Sequence, residues 1–354
     1  MLPTLNDFDR FDHRGFLANP EPEPTFANTA DDPLVSIPPD HEVHDIQVHT
    51  TTPMARPWHK SQPSPMVWDE IHDLVKEYIP YVVVLNLDTG VNPHDVAPKP
   101  LGMESFINGQ SPFDGNGHGT HTYTTSVGHD RRYGVGCGAQ GLVGKVLSNG
   151  GSGSSTGIER ANKWGGQWRG PDDLSVDVIN MSLGSSGQAH AGTVREIKNN
   201  FSNGIITNAS AGNAGRENSV GGPANSDECF AVGATQQNGG LAGFSSRGPE
   251  VDVACPGQNI PSASHRSRTG IVNMSGTSMS CPFKSGLDAI LIALRRASGK
   301  PRWRSIDPVM DLYKAYSEDR GRPGKDSGFG HGVPRYGRLV EDLAKFGKRL
   351  FFKI

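Results

Sequence analysis

The chain has no long hydrophobic run, no closely spaced cysteines and no excess of either charge, and each absence removes a class of function. Its longest apolar stretch, Tyr78 to Leu87, is interrupted by Pro80 and Asn86. It falls short of the roughly 18 residues that a membrane helix requires, so no membrane span and no membrane partner are expected. Lys plus Arg (34) nearly balance Asp plus Glu (37), leaving a formal charge of -3. That balance supplies no bulk field to hold a nucleic acid, and recognition must reside in a local site. Cys137, Cys229, Cys255 and Cys281 are far apart, with no Cys-x-x-Cys pair, so buried thiols are expected rather than a metal or redox motif. The opening Met1-Leu-Pro-Thr-Leu-Asn-Asp-Phe-Asp has neither the basic nor the apolar region of a secretory leader. An intracellular location is favoured, and disulfides fit it poorly.

A chain of 354 residues, 34% hydrophobic, can bury one large core and carry an extra segment. Residues 1–65 are rich in Pro, Asp, Glu, Thr and His without a period of 2 or 3.6, which reads as an extended N-terminal extension, either a propeptide or a tether. The globular domain is expected over 66–345 and a short tail over 346–354. Within the domain, Met66 to Tyr78 looks like an amphipathic helix and Tyr81 to Leu87 like a buried strand. Further apolar runs begin at Gly144, Val176, Ile205 and Cys229, and helical stretches lie near Thr156 to Lys163 and Ala191 to Asn200. The alternation predicts an α/β fold, a three-layer open and mostly parallel sheet flanked by helices. In such sheets functional groups gather at the carboxyl ends of strands.

Four motifs sit directly after these runs. Asp88-Thr-Gly places a carboxylate at a strand end. Alone it is as readily a turn, and it also resembles the Asp-Thr-Gly of aspartic peptidases, for which Asp326-Ser-Gly would be the second copy. That second triplet follows no apolar strand, and the α/β alternation does not suit an all-β enzyme. Asn116-Gly-His118-Gly-Thr-His121 strips bulk from around an imidazole, as proton transfer requires. A metal reading of His118 and His121 lacks a third ligand. Asn208-Ala-Ser-Ala-Gly-Asn213 projects a short amide from a turn, either structural or an N–H donor to an oxyanion. Gly276-Thr-Ser278-Met-Ser-Cys-Pro282 precedes an apolar helix, with Pro282 expected in its first turn. Ser278 there is either a helix cap or a nucleophile at the positive helix end.

In this order, the four motifs resemble the subtilases, the subtilisin-like serine peptidases. The likeness extends over about 66–340, through Val178-Ile-Asn-Met-Ser-Leu-Gly, Phe244-Ser-Ser-Arg-Gly-Pro and Asp252-Val-Ala-Cys-Pro-Gly. The resemblance implies a serine endopeptidase, a hydrolase of proteins or peptides that needs no cofactor for its chemistry. It makes Ser278 the nucleophile, His118 the general base, Asp88 the group orienting His118, and Asn213 the oxyanion donor. It also implies that Gly151, Ser152 and Gly153, with Ser182, Leu183 and Gly184, pair with an extended substrate backbone. Gly221 falls where the family lines the floor of its main specificity pocket, with room for a large apolar side chain.

The chain departs from the family in places. Phe283 replaces a usual His, Cys281 a small residue, and Thr122-Tyr-Thr the small residues after the catalytic His. Asp95 matches a calcium ligand of many relatives, yet Gly128 to Gly138 brings Arg131 and Arg132 where oxygen ligands are wanted, so structural calcium is doubtful. The extension does not resemble the folded propeptide of secreted members and reads equally as a tether or as a short inhibitory segment. The main alternative function is a catalytically inactive subtilase fold used for binding or assembly, which ordinarily loses a triad residue. A dinucleotide site at Gly151-Ser-Gly153-Ser-Ser-Thr-Gly157 has its third glycine one residue late for the fingerprint.

Overall fold

The computed structural model describes residues 34–36 and 72–335. The expected tail over 346–354, the start of the helix expected from Met66, and the extension over 1–65 apart from 34–36 lie outside the described residues. Strand β1 (Leu34–Ser36) is followed by β2 (Val83–Asp88), β3 (Met103–Ser105), helix α1 (His118–Val127), β4 (Gln140–Lys145) and β5 (Ser152–Ser154). Then come α2 (Ser155–Gln167), β6 (Val176–Met181), α3 (Ala191–Ser202), β7 (Ile206–Ser210), β8 (Phe230–Thr235) and β9 (Val251–Pro256). A hairpin of β10 (Ile260–Ala263) and β11 (Ile271–Met274) leads to α4 (Thr277–Ala297) and α5 (Ile306–Tyr316).

Seven of these strands form one sheet in the order β3-β4-β2-β6-β7-β8-β9, and every pairing in it is parallel. A parallel sheet covered on both faces needs strands that are apolar on both sides, and β2, β6, β7, β8 and β9 are buried throughout. Alternate residues feed two cores. Val83, Leu85 and Leu87 join Ile179 and Met181 with Ile158 of α2 and Ile197 of α3. Val84, Val178, Ile206 and Phe230 face the other way, toward Tyr123 of α1 and Leu287 and Ile290 of α4. The fold class is therefore the expected α/β sheet between two helical layers. Among the described residues no helix is long and apolar enough to cross a membrane.

Boundaries differ from expectation for identifiable reasons. Pro80 starts a 3-10 turn over Ile79–Tyr81, as its fixed φ and missing N–H favour, so β2 begins two residues late and runs through Asp88. The glycine-flanked His118 lies in no turn, being the first residue of α1. Pro282, expected in a first turn, stands inside α4, whose first residue is Thr277. The four cysteines are free; three are buried and Cys137 is half-buried.

Buried charge in this fold is met by opposite charge at Asp177. Asp177 on β6 has no exposure and lies 2.7 Å from both Arg296 and Arg302, pinning the end of α4 to the sheet. His121, by contrast, is buried as a neutral ring whose Nε2 lies 2.8 Å from the Ile260 carbonyl oxygen. Burial depresses its pKa from 6.5 to about 3. Because the folded value lies below the unfolded one, the unfolded chain binds the proton first on acidification. The stability tied to His121 is complete above pH 6.5 and is lost as the pH falls toward 3, by up to about 1.4 kcal/mol per pH unit. Thermal melts of the protein and of His121→Gln between pH 7 and pH 4 should show a shallower decline of Tm in the variant; parallel curves would refute the assignment.

Candidate active site

The site lies where three carboxyl ends of the sheet meet the starts of two helices. Asp88 closes β2 with no solvent exposure. Its Oδ1 accepts from the Thr89 backbone N–H at 2.7 Å, and its Oδ2 from the Thr122 hydroxyl at 3.0 Å. His118 Nδ1 lies 2.8 Å from Oδ1 and 3.0 Å from Oδ2. An ionised carboxylate accepts only, so the Nδ1 proton is directed to Asp88 and Nε2 carries the lone pair.

His118 is placed by what surrounds the start of α1. Gly117 caps α1 at φ 114°, and a Cβ there would come within 2.5 Å of His265 Nδ1, so neither conformation nor space admits a side chain. A glycine offers no side-chain cap, and Asp114 supplies one from outside. Its Oδ1 accepts from Asn116 N at 2.9 Å, Gly117 N at 2.8 Å and the Thr89 hydroxyl at 2.9 Å. Its Oδ2 accepts from Thr120 N at 2.8 Å and the Thr120 hydroxyl at 2.7 Å. Thr89 in turn accepts from Gly119 N at 2.8 Å, tying the residue after Asp88 to the residue after His118. No local signal marks Asp114 in the sequence, because helix-start signals sit at the cap itself and Asp114 lies three residues ahead of Gly117. The sequence reading also passed over Lys145, fully buried beside Asp88 in β4, whose ammonium donates to the Thr89 carbonyl and to Asn149 Oδ1. Burial lowers the Lys145 pKa, and the Asp114 and Asp88 charges oppose that.

Ser278 is the second residue of α4, with 2% exposure. Its hydroxyl donates to the Ser182 carbonyl at 3.4 Å. Pro282 has no N–H to give to the Ser278 carbonyl four residues back, and the Ser182 hydroxyl donates there instead, at 2.8 Å. Asn213 lies beyond β7 with Oδ1 accepting from the Thr277 N–H at 2.9 Å and the Thr277 hydroxyl at 3.0 Å. This fixes the carboxamide plane next to Ser278, with Nδ2 on the side away from Thr277. Helices α1 and α4, which carry His118 and Ser278, pack against each other.

The expected substrate contacts fall in two places. Ser152 and Gly153 lie in β5, just after Gly151, and β5 pairs antiparallel with β1, with Val35 opposite Gly153 and Ser36 opposite Ser152. Ser182 and Leu183 are buried. Ser182 is bonded to Ser278 through both its hydroxyl and its carbonyl, and the Leu183 carbonyl accepts from the Ser210 hydroxyl at 3.2 Å. Gly184 follows with partial exposure. Gly221 packs so closely under Ser185 that a Cβ would fall 1.6 Å from its carbonyl oxygen, so only glycine fits.

The family model described as Subtilase family matches residues 81–332. The chain is 36% identical over 221 residues to a Subtilisin-like protease 1 of Arthroderma otae, which is 62% of this chain and 44% of that protein. It is 35% identical over 221 residues to a Subtilisin-like protease 1 of Trichophyton rubrum, covering 62% and 43%. A Subtilisin-like protease 1 of Trichophyton verrucosum is 34% identical over the same length, covering 62% and 54%. The aligned part thus spans about half the length of the curated relatives it matches.

The calcium site that the resemblance implies does not fit the residues at Asp95 and Asp130. The Asp95 carboxylate faces the Arg268 guanidinium at 3.3 Å, and the Asp130 carboxylate is taken by Arg132. A hard cation would compete with a guanidinium for each. Excess EGTA should leave the Tm unchanged within about 1 °C, since a ligand that does not bind cannot stabilise; a marked fall would show a site these residues do not suggest.

Proposed function

The chain belongs to the subtilase family, and from that premise we propose that it is a serine endopeptidase acting through an Asp88, His118, Ser278 triad and an acyl-enzyme intermediate. The observation that carries this reading is the buried bond between His118 Nδ1 and both Asp88 oxygens, beside the helix start that holds Ser278. With the Nδ1 proton given to Asp88, His118 Nε2 is the base that takes the Ser278 proton as Oγ attacks a peptide carbonyl. The imidazolium so formed is stabilised by the adjacent carboxylate and passes its proton to the leaving amine. Water then repeats the sequence on the acyl-enzyme, and His118 returns to its neutral form. The oxyanion is met by Asn213 Nδ2 and the Ser278 N–H at the positive end of α4. An inactive binding protein of this fold finds no support, because all four chemical positions are filled by the competent residues.

The pairing of β1 with β5 bears on the N-terminal extension. In the family the β5 edge pairs with substrate, and here Leu34–Ser36 lies along that edge as an antiparallel strand. This favours the inhibitory reading of the extension over the tether, since one edge cannot pair with two strands at once.

A fluorophosphonate probe should label the protein and Cys281→Ala but not Ser278→Ala. Cys281 is buried, and burial drives its thiol pKa well up, so it is no rival nucleophile. Loss of the serine should cost on the order of 10⁶ in kcat, and Asn213→Leu about 10² to 10³; both are magnitudes established for subtilisin itself rather than derived for this chain. Labelling that survives in Ser278→Ala would overturn the triad. Deleting residues 1–60 should raise the initial rate on a short peptide substrate, and an unchanged rate would eliminate the inhibitory reading.

A further inference from the structure

Below the site, on the face of the sheet covered by α1 and α4, three asparagines stand side by side. Asn86 of β2 is the register partner of Asn180 in β6, and Asn180 that of Asn208 in β7. Two residues earlier on each strand the same face is Val84, Val178 and Ile206, fully apolar. The asparagines have at most 1% exposure. They connect to a buried charge pair, Lys284 and Asp288, both with 0% side-chain exposure, 2.9 Å apart on α4.

The direction of every bond in this cluster follows from the charges at its ends. An ammonium only donates, so Lys284 Nζ, 2.8 Å from Asn208, must face its Oδ1. Asn208 Nδ2 therefore points the other way, to Asp288 at 2.7 Å and to the Ser285 hydroxyl at 3.0 Å. Having accepted from Asn208, the Ser285 hydroxyl donates to Asn180 Oδ1 at 3.1 Å. Asn180 Nδ2 then donates to Asn86 Oδ1 at 2.8 Å, and Asn86 Nδ2 to the Thr122 hydroxyl at 3.2 Å. Thr122 delivers its proton to Asp88 Oδ2 at 3.0 Å. Two hydroxyls have a second acceptor in reach, Ser285 the Cys281 carbonyl at 3.1 Å and Thr122 the Gly119 carbonyl at 3.2 Å. At Thr122 the full charge of Asp88 decides, because a charge-assisted bond is the stronger. Asn180 also opens a branch: its Nδ2 donates to the Ser182 hydroxyl at 3.0 Å, which leaves Ser182 to donate to the Ser278 carbonyl.

We propose that Lys284 and Asp288 are positioning residues of the active site, their charges orienting a donor chain that runs through Asn208, Ser285, Asn180, Asn86 and Thr122 to Asp88. The chain rests on the peptidase reading above and adds to it a means by which α4 is tied to the acid of the triad as well as to the nucleophile. The pair is saturated at its far end. Lys284 Nζ lies 3.7 Å from the Phe230 ring centroid and 4.3 Å from that of Tyr313, and the Tyr313 hydroxyl donates to Asp288 at 2.6 Å. Replacing such a pair by neutral groups of the same shape is often harmless to stability, so its consequence is sought in orientation.

The test compares the protein with Lys284→Gln/Asp288→Asn, which keeps the approximate volume but removes the charges and one of the two acceptor oxygens that Tyr313 and Asn208 use, and with Asn208→Leu, which cuts the chain and leaves the pair. Active sites are counted by fluorophosphonate titration, so that a smaller folded fraction is not read as slower chemistry. Per titrated site, both variants should lose roughly 3- to 30-fold in kcat at near-constant KM, the range of coupling through such networks. A Thr122 hydroxyl no longer held by an oriented Asn86 divides its time between Asp88 Oδ2 and the Gly119 carbonyl. For that fraction the carboxylate has one donor fewer and presents more charge to the imidazolium, so the acidic limb of kcat/KM should move to higher pH. Lys145 of β4 lies within electrostatic reach of Asp88, and His121 of α1 within that of His118; Asp114 caps the start of α1 and His265 lies against Gly117, and none of these is altered. Unchanged kcat and an unchanged limb per titrated site would overturn the proposal, leaving the pair purely structural. Should the charge-neutral variant fail to fold, Thr122→Val at the other end carries the same expectation and Thr122→Ser should restore the limb. If the unmodified protein neither cleaves peptides nor takes the probe at Ser278, the peptidase reading itself fails and this inference falls with it.

Discussion

A carboxylate with no access to water is tolerated only where donors replace its hydration, and the Asp88 carboxylate sets the terms for the rest of the site. Three groups meet it: a backbone N–H, a hydroxyl and an imidazole N–H. Each requires a separate piece of the fold to be in place. The backbone donor requires β2 to end at Asp88, the hydroxyl requires the first turns of α1 to lie across that end, and the imidazole requires the glycine turn that starts α1. Asp114 and Thr89 knit these pieces to one another, so the orientation of His118 is over-determined. Such redundancy keeps the His118 ring in one rotamer without a ligand to hold it.

The sheet changes character along its own strands. Toward the amino ends the layer of Val84, Val178 and Ile206 is sealed by Leu287 and Ile290. One step on it is carboxamide, and one further it is Asp88, Ser182 and Ser210. The apolar layers hold the strands in register, and the polar ones spend that register on aiming side chains. Parallel strands suit this because all of them deliver their carboxyl ends to the same side. Buried polar atoms in these layers are stable only when paired, which is why their partners are shared among β2, β6, β7, α1 and α4 rather than found locally.

Much of this was legible in the sequence because it is local. The run before Asp88, the glycines about His118 and the small residues around Ser278 each state their backbone context directly, and their order carries the family. The asparagine layer was not legible. Asn86 read as an interruption of an apolar strand, Asn180 as part of a family segment and Asn208 as the start of the Asn213 turn. Only the register of three strands far apart in the chain reveals them as neighbours. Lys284 and Asp288 were hidden in the same way, since charges four apart on a helix ordinarily mark a solvated face. Pro282 was misplaced by a turn because nothing in the motif shows that α4 has already begun at Thr277.

Pro282 also shows how the two halves of the site depend on each other. A proline inside a helix removes one backbone donor and normally kinks or weakens it. Here the orphaned acceptor is the carbonyl of Ser278 itself, and the Ser182 hydroxyl satisfies it from the end of β6. The lost helical bond is thereby exchanged for one between the Ser278 peptide group and the sheet. The Ser278 hydroxyl returns a contact to the Ser182 carbonyl, so one residue of β6 anchors Ser278 from two directions. A helix start that would otherwise be free to fray is fastened at the residue whose placement matters most, and the fastening exists because a helix bond is missing.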